Sequence, residues 1–211
     1  MTMKLYSYFR SSAAYRVRIA LNLKGIEHDM QFVNLLKSEQ LAQPYLDKNV
    51  QGLLPTIETE DGVLAQSLAI LEWLDESYPQ TPLVYGNAWQ KAQIRNISYA
   101  VACDIHPVNN LRVLKYLSNE LNVNDEAKNK WYRHWVEVGF EKIESMLSED
   151  CDFCVGDKPS LADICLVPQV FNALRFNVNM AAYPKIAAIY ARCNALPAFN
   201  EAAPQNQRDA V

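Results

Sequence analysis

Two adjacent hydroxyls, Ser11 and Ser12, stand where a strand-like run, Lys4–Tyr8, gives way to an amphipathic stretch, Ala13–Lys24. A hydroxyl at the start of a helix can satisfy the free backbone N–H groups there. It can equally donate to a thiolate, whose negative charge the helix dipole favours, as it does for cysteines at helix N-termini. The bare sequence leaves both roles open to both serines. Gln66-Ser67 repeats the pattern at a second helix start, where a carboxylate would be welcome and a plain N-cap equally in keeping. Arg10, next to Ser11, and Arg175, at the end of a predicted helix, are guanidinium groups suited to bidentate carboxylate binding. For Arg175 the other reading is a solvated side chain complementing the helix dipole. His106 is a lone helical histidine, a type more often structural than catalytic, although each imidazole nitrogen can donate or accept one hydrogen bond.

The elements that must position these groups fall into two sets. Lys4–Tyr8, the helix Ala13–Lys24 ended by Gly25, and His28–Leu35 read as β-α-β. A weak helical segment over about Gln40–Lys48 precedes Pro55; Thr56–Thr59 and Val63–Gln66 flank an Asp61-Gly62 hairpin signal. Ser67–Tyr78 reads as a helix burying Leu68, Leu71 and Leu74, stopped by Pro79. The order β-α-β-α-β-β-α is that of a thioredoxin-like domain. Pro79–Gly86 reads as a linker, and the rest as helices: about Ala88–Leu117, Asp125–Leu147 with Asp125 as N-cap, Leu161–Phe176 and Pro184–Cys193. The expected fold is an α/β thioredoxin-like domain over 1–83 and an all-α domain over 88–211. A redox Cys-x-x-Cys in such a fold belongs at the first strand–helix junction, here Ser11–Ala14, so Cys151-Asp-Phe-Cys154 is read as incidental. It has no second pair to complete a zinc site, and no metal is expected. Ser160-Leu-Ala-Asp163 has the form of a capping box.

The run Ser11-Ser12-Ala13 followed by Arg16-Val-Arg18-Ile-Ala-Leu21 resembles the signature of zeta-class glutathione transferases, Ser-Ser-Cys and then Arg-x-Arg-Ile-Ala-Leu. The resemblance continues through Leu54-Pro55-Thr56, Gln66-Ser67, Ile105–Arg112 and Ser160–Asp163, so it spans most of the chain. It implies glutathione as cofactor, with Ser11 activating its sulfur and Ser12 as backbone cap or secondary contact. By the same resemblance Leu54 pairs with the cysteinyl unit before a cis Pro55, and Gln66 and Ser67 hold the γ-glutamyl end. Gln40 would reach the glycyl end, with His106, Asn110 and Arg112 as further contacts. Arg10 and Arg175 would bind a small dicarboxylate substrate, Arg16 and Arg18 would support helix packing, and the Ser160 box would serve folding. Ala13 departs from the pattern, since cysteine is usual there; the site then holds no protein thiol, and glutathione is left as the nucleophile. The implied reaction is cis–trans isomerisation of maleylacetoacetate to fumarylacetoacetate in tyrosine and phenylalanine catabolism, and a homodimer is implied as well.

The composition agrees with this. The chain has 211 residues, half of them apolar, a net charge of −4 and five scattered cysteines. There is no basic excess to suggest nucleic acid, no apolar run near the roughly 18 residues that span a bilayer, and no secretory signal. An odd, unframed cysteine set fits a reducing, cytoplasmic setting. The rivals are a maleylpyruvate isomerase, a conjugating or dehalogenating transferase, and a non-catalytic module of the same fold.

Overall fold

A computed structural model describes residues 2–210. It has two compact units: residues 2–83 together with 194–210, and residues 84–193.

In the first unit, β1 (Met3–Ser7), α1 (Ser12–Lys24) and β2 (His28–Phe32) form the parallel crossover. After a 3₁₀ turn, Glu39–Leu41, and the single-turn α2 (Gln43–Leu46) come β3 (Thr56–Thr59), β4 (Gly62–Ala65) and α3 (Ser67–Ser77). The sheet order is β2-β1-β3-β4, with β3 antiparallel to both of its neighbours. Leu5 and Ile57 from the sheet, Val17, Ile19 and Leu21 from α1, and Ile70, Leu71 and Leu74 from α3 make the core. Ile70 occupies the place expected of Leu68, which is only half-buried. Gly25, at φ 64°, closes α1 because that left-handed conformation costs glycine nothing. Lys24 Nζ then ties the helix end to Asp75 at 3.1 Å and to the carbonyls of Tyr78 and Thr81.

α10 (Pro197–Ala202) was not expected from the sequence, and it changes the domain boundaries. Residues 194–210 belong with the first unit rather than with the helical domain assigned as 88–211. Phe199 is fully buried; the Tyr15 hydroxyl donates to its carbonyl at 3.3 Å, and Asn22 donates to Ala198. This return explains why α1 is buried nearly all round, charged residues included.

The second unit is helical: α4 (Ala88–Tyr99), a π-helical segment Ala100–Ile105, α5 (His106–Val108), α6 (Leu111–Asn119), α7 (Asp125–Met146), α8 (Leu161–Arg175) and α9 (Pro184–Asn194). The single helix expected over 88–117 is thus interrupted, first by the wider turn and then at Asn109-Asn110, where Asn110 caps α6. Asn124, not Asp125, caps α7, accepting from Ala127 N at 2.9 Å. α8 is buried on every side over most of its length, as a helix at the centre of a bundle must be. Its capping box is complete. Asp163 accepts from Ser160 N (2.9 Å), Ser160 Oγ (2.8 Å) and Cys154 N (2.9 Å). Part of the expected linker is also anchored, since the Tyr85 hydroxyl donates to the carbonyls of Val155 and Lys158.

Candidate active site

Strand register decides where the first unit presents its polar groups. Tyr6 faces Thr56 and Thr56 faces Ala65, so the chain leaving β1, the chain entering β3 and the chain leaving β4 lie at the same end of the sheet. Ser11, Leu54-Pro55 and Gln66-Ser67 all lie on those connections.

Ser11 is the N-cap of α1: its Oγ accepts from Ala14 N at 3.2 Å, with extended backbone at φ −70°, ψ 110°. This reverses the division of labour expected for the serine pair. Ser12 is buried within the first turn, while half-buried Ser11 makes the cap. The reversal leaves Ser11 chemically able, because the oxygen is the acceptor in the capping bond and the hydroxyl proton remains for donation. Arg10 is exposed, with its guanidinium 4.9 Å from the centre of the Phe9 ring.

Ser67 is buried at the first position of α3, and Arg16 Nη1 donates to its Oγ at 3.2 Å. Arg16 is itself 2 % exposed. It was read from sequence as a packing residue, yet it brings a positive charge from α1 to the N-terminus of α3. Gln66 has φ 70° and ψ 115°, a left-handed conformation that costs a non-glycine residue about 1–3 kcal/mol and is concentrated at functional sites. Its Nε2 donates to Gln51 Oε1 at 2.8 Å. The Leu54–Pro55 peptide bond is cis, and Leu54 lies just outside the β3 ladder. The approach to that bond is held from below. The Tyr45 hydroxyl and Asn49 Nδ2 both bond the Leu53 carbonyl (2.6 and 2.9 Å) and Thr56 Oγ1 (2.8 and 3.0 Å). Gln40 is buried in the 3₁₀ turn, and its Oε1 has no hydrogen-bond partner among the described residues.

Arg18 crosses beneath the Ser11 turn. Its Nε donates to Ala202 O (2.9 Å), Nη1 to Ser7 Oγ (3.0 Å) and Tyr8 O (3.4 Å), and Nη2 to Phe9 O (3.1 Å). Burial pushes its pKa down to about 10, and the charges of Tyr15 and Asp209 oppose the shift. Arg18, like Arg16, goes beyond the helix packing expected of it, binding four backbone and side-chain oxygens. The available signal was a second arginine two positions on from Arg16 in a helix whose other side chains are mainly apolar.

The remaining expected residues lie in the second unit. His106 Nε2 is 3.4 Å from Asn110 Nδ2, and Asn110 Oδ1 accepts from Arg112 N at 3.1 Å as the α6 cap. Arg112 is exposed. Arg175, also exposed, donates to Asn172 Oδ1 at 3.2 Å. Burial pushes the Tyr132 phenol up to about 12, with the positive charge of Arg175 opposing the shift. The five cysteines are free thiols. Burial pushes Cys154 and Cys193 well up, which keeps them protonated and unreactive.

Known proteins share both units. Residues 5–82 match the family model for the glutathione S-transferase N-terminal domain, and residues 123–197 match that for its C-terminal domain. A Vibrio cholerae protein named probable maleylacetoacetate isomerase is 47 % identical over 100 % of this chain and 99 % of its own length. The holo structure of a maleylpyruvate isomerase, described as a bacterial zeta-class glutathione transferase, superposes with a TM-score of 0.96 at 42 % identity, covering 99 % of this chain and 100 % of that one. The Methylobacterium extorquens maleylacetoacetate isomerase solved with malonate and glutathione gives 0.95 at 36 % identity, covering 99 % of each chain. The chain belongs to the glutathione S-transferase family and, within it, to the zeta class.

Proposed function

We propose that the chain catalyses the glutathione-dependent cis–trans isomerisation of maleylacetoacetate to fumarylacetoacetate. The observation that carries this reading is Ser11, a half-buried helix N-cap whose oxygen is held by Ala14 N–H and whose proton remains to be donated. Glutathione fits the residues around it. The orphaned Gln40 Oε1 suits a peptide N–H. Ser67, backed by the Arg16 guanidinium at the start of α3, suits the carboxylate of the γ-glutamyl end, with Gln66 beside it. The Leu54 backbone, outside the ladder, suits strand-like pairing with the cysteinyl unit. Ser12, His106, Asn110 and Arg112 are assigned as further contacts.

Bound there, glutathione supplies a reversible nucleophile for the conjugated cis alkene, so that rotation about the former double bond yields the trans product and returns the cofactor unchanged. Ser11 donates toward the sulfur, and the α1 dipole adds favourable potential. Because this stabilisation is moderate, the same sulfur can still leave. Arg10 and Arg175 take the two substrate carboxylates and offer positive potential to the charge that develops on the substrate's carbonyl oxygen. The Methylobacterium relative, which holds the dicarboxylate malonate together with glutathione, supports this substrate class. Likeness to the maleylpyruvate isomerase favours one second reading, the same chemistry on a shorter dicarboxylate. We assign the enzyme to the cytoplasm as a homodimer; light scattering at about twice the 24.0 kDa chain mass is the check on assembly.

The test is to mix purified protein with freshly generated maleylacetoacetate and follow loss of the cis isomer with and without glutathione, with maleylpyruvate in parallel. Conversion should require glutathione and fall by about 10²–10³-fold in Ser11→Ala, the usual effect of losing one donor to a developing charge. The two specificity constants rank the substrates. Glutathione binding without conversion of either substrate refutes the isomerase reading.

A further inference from the structure

The C-terminal segment reaches the turn that delivers Ser11. Asp209 Oδ2 accepts from the backbone N–H of Phe9 at 3.0 Å, while the carbonyl of Phe9 accepts from Arg18 Nη2 at 3.1 Å. Both peptide groups of Phe9 are therefore held by side chains remote in sequence, two residues before the Ser11 hydroxyl. The neighbouring Tyr8 carbonyl is held twice over, by Ser11 N–H at 2.9 Å and by Arg18 Nη1 at 3.4 Å. Arg18 is in turn fixed by the Ala202 carbonyl of α10, so both arms of the brace trace to the returning segment, one through Arg18 and the other through Asp209. Asp209 is half-buried and Arg18 is 2 % exposed. A bond to a charged partner is about twice as strong as a neutral one, and here each of the two peptide groups that flank the Phe9 Cα receives such a bond. The turn needs this support because Phe9 and Arg10 lie outside β1 and α1.

We propose that Arg18 and Asp209 are positioning residues for the Ser11 hydroxyl: by holding the peptide groups on both sides of Phe9, Asp209 and the Arg18 side chain that α10 fixes set the angle at which Ser11 meets the sulfur of bound glutathione. The inference rests on the role proposed for Ser11. A hydroxyl misplaced by about 1 Å loses much of its effect on a reacting group. The brace should therefore show in the acidity of the bound thiol more than in overall affinity, because most of the tripeptide is assigned to other residues.

The measurement is the apparent pKa of the thiol of bound glutathione, read from thiolate absorbance against pH, for the parent chain, Ser11→Ala, Asp209→Ala, Asp209→Asn and the double variant Ser11→Ala/Asp209→Ala. Glutathione affinity by calorimetry and the melting temperature accompany each. Asp209→Ala should raise the thiol pKa by roughly one unit, about tenfold less thiolate below that pKa. Affinity should change less than threefold. Asp209→Asn, whose amide oxygen can accept the same bond, should stay close to the parent. The sign is diagnostic, because removing a nearby negative charge would by itself lower the thiol pKa. In the Ser11→Ala background Asp209→Ala should add almost nothing, since the brace acts through the missing hydroxyl. An unchanged or lowered thiol pKa in Asp209→Ala, or effects that add fully in the double variant, overturns the proposal. If Ser11→Ala itself leaves the thiol pKa unmoved, the brace and the role of Ser11 fall together. That result is distinct from one in which only Asp209→Ala is silent, which removes the brace alone.

Discussion

Replacing Gly139 with alanine sets two known effects against each other, and the structure decides between them. Gly139 lies in the middle of α7, where helix propensity alone predicts that alanine stabilises by about 1 kcal/mol. A Cβ at that position, however, would fall on Cγ1 and Cδ1 of Ile105, well inside van der Waals contact. Ile105 ends the π-helical segment and is 2 % exposed, so its side chain has little room to turn away. Overpacking of this kind costs about 1–3 kcal/mol. Against the propensity gain, the net expectation is a loss of about 1 kcal/mol, or a melting temperature lower by about 2–4 °C for a chain of this size. Thermal unfolding by circular dichroism, with urea titration to confirm an unchanged m-value, measures it. The same substitution in an Ile105→Ala background, where the space is vacant, should become neutral or stabilising, a coupling of about 1–3 kcal/mol. A Gly139→Ala protein more stable than its parent would refute the reasoning. It would mean that the wide turn before His106 yields freely and does not depend on the close approach of α7.

Asp163→Ala leaves two buried backbone N–H groups and the Ser160 hydroxyl without their acceptor, a loss of about 3–5 kcal/mol, visible as a fall of roughly 10 °C in melting temperature; a loss below about 1 kcal/mol would contradict it. Bonds from Tyr6, Lys48 and Lys4 hold the Glu58 carboxyl down to about 2 from its ordinary 4.5. A depressed carboxyl contributes stability that is complete above about pH 4.5 and is lost as pH falls toward 2. The Glu58→Gln protein should therefore show a flatter acid limb in denaturant titrations over that window, and parallel limbs would argue against the network. Arg175→Ala should raise KM for the dicarboxylate by about tenfold or more and leave glutathione affinity unchanged, with Arg175→Lys restoring only part because it lacks the planar fork; equal loss of both affinities would point to a structural role instead.

Much of this protein was legible locally. The Gly25 stop, the Asp61-Gly62 hairpin and the Ser160–Asp163 box each depend on residues within a turn of one another, so their chemistry can be read directly from neighbours, whereas the sequence places a serine cap on α1 without saying which serine makes it. The β-α-β-α-β-β-α order follows from the same short-range signals, and the family signature places Ser11, Pro55 and Ser67 on it. What tertiary structure decided is the set of relations between segments far apart in sequence. Nothing near Arg16 announces that its guanidinium reaches Ser67, and nothing near Phe199 or Asp209 announces that they return to α1 and to the Phe9 peptide. Gln66 takes a left-handed backbone that its own residue type disfavours, held there by the elements on either side. The π-helical turn before His106 likewise requires Gly139 on another helix to make room for Ile105. Caps and turns are encoded where they occur; the placement of Ser11 depends on contacts that exist only once the chain has closed on itself.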